Sequence, residues 1–115
     1  MGRRYDQEGE RRRTRIVPPW YMDEMLNRLD WDDVHTFLVA MRSRSLPQVA
    51  DELGISHLTA GRRVTAMEER LRLRLFHRRP DGLHRTPEAD ALLPHAEAVE
   101  RSMRALERQS QALDP

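Results

Sequence analysis

Arginine is the residue type with the most chemistry to offer in this sequence, and it is unevenly placed. Residues 62–85 hold eight arginines, at 62, 63, 70, 72, 74, 78, 79 and 85, against Glu68, Glu69 and Asp81, for a local charge of +5. Residues 1–15 carry +3, whereas 16–61 carry −4 and 86–115 carry −3, so the whole chain nets only +1. A surface that needs only solubility intersperses its signs, so a concentrated positive block calls for an anionic partner. All twenty basic residues are Arg and none is Lys. The guanidinium fork matches phosphate oxygens and the O6/N7 edge of guanine, which a lysine ammonium does not do bidentately.

The remaining inventory mostly excludes. There is no cysteine, so disulfides, thiolate zinc sites and a cysteine nucleophile are ruled out. Five histidines (His35, His57, His77, His84 and His95) show no metal-ligand spacing. His77 and His84 would face each other if the chain reversed between them, but no carboxylate is obviously placed to complete a zinc site. No glycine-rich phosphate loop, nucleophile elbow or paired-carboxylate arrangement occurs. The expectation is a chain that is not an enzyme and uses no cofactor and no metal.

The elements that must position the arginines can be read from periodicity. At 115 residues, 34% charged and 38% hydrophobic, the chain has room for one small domain with a mostly helical core. Residues 1–19 are polar, Arg-rich and closed by Pro18-Pro19, and read as a disordered basic arm. Residues 20–29 follow as a short amphipathic helix with Met22, Met25, Leu26 and Leu29 on one face. Asp30 then caps a helix whose core-facing stripe is Val34, Phe37, Leu38 and Met41. A break at Arg44-Ser45 precedes Pro47, which suits a first helical turn, and Val49, Ala50 and Leu53 form the buried side of a second helix stopped by Gly54. Ser56 caps a third helix running to about Arg72, with Ala60, Val64, Met67 and Leu71 turned inward.

Two helices joined by a glycine-containing turn, the second longer and basic, form a helix-turn-helix, with a generic helical hairpin as the bland alternative. The basic block begins where the second of them turns its face outward, which favours DNA binding. After Arg72, apolar and basic residues alternate around Pro80-Asp81-Gly82, so residues to Arg85 read as a two-stranded β wing bearing Arg78, Arg79, His84 and Arg85. Residues 30–85 are thus expected to form a winged helix-turn-helix head. Thr86 and Pro87 open a last helix, 86–113, with Glu88 and Asp90 at its positive end. Its apolar positions Leu92, Ala96, Val99, Met103, Leu106 and Leu113, with Ser110 filling the one gap, step by four and three over three heptads, a coiled-coil pattern. Glu97 with Arg101 and Glu100 with Arg104 make favourable i,i+4 pairs on its outside. Such a helix is about 40 Å long at ~1.5 Å per residue. That exceeds what the head can cover, so the stripe is expected to pair with a second copy. The fold class is mainly α: three helices, a β wing, and a long dimerisation helix.

On the third helix, Leu58, Arg62 and Thr65 lie opposite the inward stripe, with Gly61 beside them. Two chemistries are open to Arg62, a bidentate contact to guanine or a contact to phosphate. Leu58 meets a thymine methyl, or packs on the wing, or is simply exposed. His57, near the helix start, can donate to a base or a phosphate. The arm Arg11–Arg15 either enters a minor groove or is a solvated tail.

These residues resemble the amino-terminal region of LysR-type transcriptional regulators over about Leu29 to Ala112. The resemblance lies in the AMRSRSL stretch, the VADELGIS turn, GRRVTAMEERLRLRLFHR, and RTPEADALLPHA at the start of the last helix. It implies a linker helix pairing antiparallel across a two-fold, and a dimer on an interrupted palindromic promoter site. It places the groove-facing positions on Ser56, His57, Leu58, Gly61 and Arg62, and backbone contacts on Arg63, Thr65, Arg78 and Arg79, to which the wing reading adds Arg85. His57, Leu58 and Gly61 depart from the small polar residues or Gln usual there, so base preference does not carry over. Gly61 costs up to about 1 kcal/mol mid-helix relative to Ala, and leaves room for a close approach to DNA. The family's large effector domain has no counterpart in these residues, so small-molecule sensing by the family's route is not expected.

The function expected is therefore a sequence-specific transcriptional regulator that binds double-stranded DNA as a homodimer. The competing reading is an interaction module that heterodimerises through the linker helix with a full-length relative. No apolar run approaches the ~18 residues of a membrane span, and no signal-peptide core is present. The expected location is the cytoplasm, associated with the nucleoid.

Overall fold

A computed structural model describes residues 18–20 and 28–113. The arm Arg11–Arg15 and most of the helix expected over 20–29 lie outside the described residues.

The first helix, α1 (Trp31–Met41), begins where Asp30 and Asp33 cap one another's backbone: Asp33 N–H donates to Asp30 Oδ1 at 2.9 Å and Asp30 N–H to Asp33 Oδ2 at 3.0 Å. The reciprocal bonds satisfy two N–H groups that the helix start leaves without partners. Ser45 caps α2 (Leu46–Leu53), with Pro47 in the first turn, and Gly54 ends it in the left-handed region at φ +68°. Ser56 Oγ accepts from Thr59 N–H at 3.1 Å and starts α3 (His57–Leu71). The stop of α3 falls on Arg72 at φ +57°, a left-handed backbone that costs a non-glycine residue roughly 1 kcal/mol or more.

Two antiparallel strands follow, β1 (Phe76–Arg79) and β2 (Gly82–Arg85), paired Phe76 with Arg85, His77 with His84, Arg78 with Leu83 and Arg79 with Gly82. Gly82 sits at φ +130°, and a Cβ there would collide with the Arg44 carbonyl oxygen. That carbonyl accepts from Leu83 N–H at 2.8 Å, so the tip of the wing is docked on the α1–α2 loop. Glu68 Oε2 accepts from the N–H groups of Leu75 and Phe76 at 2.8 and 3.1 Å and anchors the chain as it leaves α3. Thr86 joins wing to last helix: its Oγ1 donates to the Arg74 carbonyl at 2.7 Å and accepts from Ala89 N–H at 3.2 Å.

The core gathers Phe37, Ala40, Met41, Val49, Ala50, Ala60, Val64, Met67, Leu75, Phe76 and Ala89, so α1, α2, α3, the start of the wing and the first turn of the last helix all contribute. That last helix, α4 (Pro87–Leu113), lays its first half along α1, with Leu92, Leu93 and Ala96 against the core. Pro94 lies inside it; lacking an N–H, it leaves the Asp90 carbonyl without its i+4 donor, and the helix continues past it. From Arg101 to Leu113 every residue but the half-buried Met103 is exposed. The fold is therefore mainly α, a three-helix head with a two-stranded wing and a long terminal helix, as expected.

Candidate nucleic-acid interface

The outer face of α3 is an open surface that carries polar, basic and apolar side chains. The inward stripe of Ala60, Val64 and Met67 is buried, which by the 3.6-residue period turns Leu58, Arg62 and Thr65 away from the core. Leu58 is 65% exposed, a large apolar side chain presented to solvent at the first turn of a helix. Leu46, His57, Leu58, Gly61, Arg62, Thr65 and Arg78 line one open groove between α3 and the wing. Four of the five expected base-contacting residues, His57, Leu58, Gly61 and Arg62, thus meet in one place. The fifth, Ser56, stands at the helix start with its hydroxyl spent on capping, bonding both Thr59 N–H and Thr59 Oγ1. Arg63 is exposed beside Arg62, and neither guanidinium has a hydrogen bond or ion pair among the described residues.

The wing divides its basic residues between two faces, because successive strand residues point to opposite sides. Phe76, Arg78, Leu83 and Arg85 share the face turned to the head; His77, Arg79 and His84 share the other. Arg78 reaches α3, where its Nη2 donates to the Gly61 carbonyl at 3.0 Å and to Thr65 Oγ1 at 2.8 Å. Arg85 donates from Nη1 to the Met41 carbonyl at 3.2 Å, and its Nε lies 2.9 Å from Asp90 Oδ1. Arg85, expected on the DNA backbone, is exposed and also braces the wing against α1 and α4. Arg79 stays on the outer face without a hydrogen bond or ion pair among the described residues. His77 and His84 are cross-strand neighbours, and a carboxylate reaches one of them: His84 Nε2 lies 2.8 Å from Asp81 Oδ1, an interaction that holds the Asp81 carboxyl below its ordinary value. Among the described residues no three His, Asp or Glu side chains converge as a metal site.

Charge counting along the sequence overstated the free positive charge. Arg70 is drawn back to α1, its Nη1 lying 2.6 Å from Asp33 Oδ1, so that Asp33 both caps α1 and holds α3 against it. With Arg78 and Arg85, three of the eight block arginines have partners inside the head, which no charge sum reveals. Glu68, counted only as an acid, is a backbone clamp.

The positions expected at a dimer contact split in two. Leu92 and Ala96 are half-buried on the chain's own head, and Met103 is half-buried. Val99, Leu106 and Leu113 are 43%, 64% and 73% exposed. The hinge point is Glu100, whose carboxylate accepts from Arg42 Nη2 and Nη1 at 2.9 and 3.1 Å and from Arg104 Nη2 at 3.2 Å. Those bonds from Arg42 hold the Glu100 carboxyl below the usual carboxylate range. The expected Glu100–Arg104 pair forms; the Arg42 link, joining the end of α1 to α4 across 58 residues, carries no local sequence signal.

Solved structures share this arrangement. The Corynebacterium glutamicum OxyR C206 mutant superposes with a TM-score of 0.70 at 21% identity, covering 76% of this chain and 28% of that one. The BenM DNA-binding domain in complex with benA site 1 DNA gives 0.68 at 19%, covering 74% of this chain and 99% of that domain. The CbnR DNA-binding domain–DNA complex gives 0.65 at 22%, covering 73% and 98%. The chain therefore spans less than a third of the long regulator and nearly the whole of the isolated DNA-binding domains. No curated protein matches significantly. Among the described residues no helix is long and apolar enough to cross a membrane. The model of the bacterial regulatory helix-turn-helix proteins of the lysR family matches residues 31–90, more than half of the chain, and this chain is a member of that family, carrying its DNA-binding, transcription-regulating domain.

Proposed function

We propose that two copies of this chain bind an interrupted palindromic operator and regulate transcription from it, each presenting the outer face of α3 to a major groove. The observation that carries this is the open groove in which His57, Leu58, Gly61 and Arg62 converge, together with the guanidinium groups of Arg62, Arg63 and Arg79, which have no hydrogen bond or ion pair among the described residues. Arg62 lies centrally on that face and suits the guanine O6/N7 edge. Leu58 offers an apolar contact to a thymine methyl, and His57 an N–H to a base or phosphate. Arg63 and Arg79 are assigned to the phosphate backbone, which fixes register without reading sequence. The exposed Val99, Leu106 and Leu113 on one helix face supply the surface for a second copy. In the BenM and CbnR complexes the homologous domains are bound to DNA. Location in the cytoplasm, at the nucleoid, follows from this reading.

Titration of promoter fragments tests the proposal directly. If a dimer neutralises roughly four to six phosphates, affinity falls about a hundred- to a thousandfold between 50 and 200 mM salt. Arg62→Ala reduces discrimination among operators as well as affinity. Absence of retention on any promoter fragment at low salt removes the reading, and a particle that remains monomeric while binding removes its dimeric part.

A further inference from the structure

Two hydroxyl side chains of the head place their protons differently. Ser43, just past the end of α1, donates its Oγ–H to the Val39 carbonyl four residues back at 2.7 Å, the back-bond open to a serine or threonine in a helix. Thr65, within α3, makes no such bond. Its Oγ1 is an acceptor instead: Arg78 Nη2 donates to it at 2.8 Å, and the same Nη2 donates to the Gly61 carbonyl at 3.0 Å. Gly61 is the residue four back from Thr65. The oxygen that would take the Thr65 proton is therefore filled, by the Thr65 N–H of the helix ladder and by Arg78. Among the described residues the Thr65 hydroxyl donates to nothing.

Resting on the operator-binding reading, we propose that Thr65 donates this proton to a phosphate oxygen of the operator, and that Arg78 is a positioning residue that turns the hydroxyl outward. Thr65 is exposed and lines the open groove between α3 and the wing, on the same helix face as Leu58 and Arg62. A hydroxyl has one proton to give. With its oxygen held by the guanidinium and its local acceptor filled, that proton is left for an acceptor outside the protein. The positive charge of Arg78 beside it favours an anion there over a neutral base edge, and a hydrogen bond to an ionised acceptor is the stronger kind. The guanidinium does not itself read a base, because Nη2, shared by both of its paired-donor faces, is spent on α3. Its direction is fixed by the pleat, since Arg78 shares the head-facing side of the wing with Leu83, which packs against the core. Wing and α3 thus meet the phosphate as one unit, a contact that sets register without reading sequence. Glu69, one turn beyond Thr65, lines the same groove and would repel a phosphate seated further along, which bounds the seat at Thr65.

The experiment takes an operator selected from a random DNA pool by the wild-type chain, and copies of it in which one phosphate at a time is replaced by a neutral methylphosphonate. Thr65→Val keeps the side-chain shape and removes the proton. It is expected to weaken binding to the unmodified operator about tenfold, as for loss of a hydrogen bond to a charged acceptor. That weakening should vanish on the copy neutralised at one phosphate per half-site and persist on the others. Thr65→Ser should bind as wild type, and because Thr65 is exposed neither substitution should shift the melting curve. In an Arg78→Ala background the hydroxyl is free to turn back onto the Gly61 carbonyl, so Thr65→Val should then change affinity by less than about twofold. An equal loss in both backgrounds removes the role of Arg78. A loss spread evenly over all the modified copies, or one that depends on the base at a single position, removes the phosphate contact. Those failures leave the operator reading standing, whereas a wild-type chain that retains no DNA from the pool overturns both.

Discussion

Helices α3 and α4 carry the same apolar rhythm and meet opposite fates. In α3 the stripe Ala60, Val64, Met67 and Leu71 steps by four, three and four, and its first three members are buried under α1, α2 and the start of the wing. In α4 the stripe Leu92, Ala96, Val99, Met103 and Leu106 steps by four, three, four and three, but its burial fades along the helix until Leu106 stands 64% exposed. Periodicity thus reports that a face seeks cover, and not which molecule provides it. In α4 the first half is covered by its own head, and the second half stands exposed as the surface proposed above for a second copy.

Substitutions along the two stripes test this gradient. Met67→Ala removes a side chain from the closed core of α3 and is expected to cost about 2–5 kcal/mol in chemical denaturation. Leu92→Ala, on the half-buried start of α4, is expected to cost less, about 1–2 kcal/mol, since part of that side chain is already in water. A loss at Leu92 as large as that at Met67 would mean that the two stripes are covered alike.

At Glu100, where cover ends, Glu100→Gln is expected to cost below about 1 kcal/mol, because the Arg42 side chain is half-exposed and solvent screens the pair. The sign of its pH dependence follows from the lowered carboxyl. Folding favours the charged form, so the bond's contribution is full above the ordinary carboxylate pKa of 4.5 and disappears as pH falls through the lower folded value. Wild type and Glu100→Gln should therefore differ at pH 7 and converge in acid, and denaturation at both ends of that window checks it.

The smallest effect on folding is expected at the far end. Leu106→Asp should change the stability of the monomer by no more than about 0.5 kcal/mol, as for an ordinary surface site. The same substitution should abolish self-association in sedimentation equilibrium, since a charge would then sit in the middle of the apolar contact. A variant that unfolds, or one that still dimerises, would break the contrast between the two helices.

Much of this was legible in the residues. Asp30, Ser56 and Thr86 are legible as helix starts, and Gly54 as a stop, because capping is chemistry between residues two or three apart, whereas Ser45, which the sequence marks only as a break, proves to be a cap as well. The wing was legible through its alternation and its Pro80-Asp81-Gly82 reversal. What could not be read was which arginines are spoken for. Arg70 with Asp33, Arg85 with Asp90 and the Met41 carbonyl, and Arg42 with Glu100 are contacts that only packing makes, most of them between distant parts of the chain.

Amino-acid order by itself determined the helices, their caps, the wing and the basic character of one face, since each depends on interactions within a turn or a hairpin. Only the tertiary structure decided that the Arg78 guanidinium bonds to α3, that Arg85 bonds to the Met41 carbonyl and Asp90, and that α4 passes from covered to open at Glu100. Those outcomes depend on how the elements pack, and a guanidinium on a long side chain takes whichever acceptor the packing brings within about 3 Å.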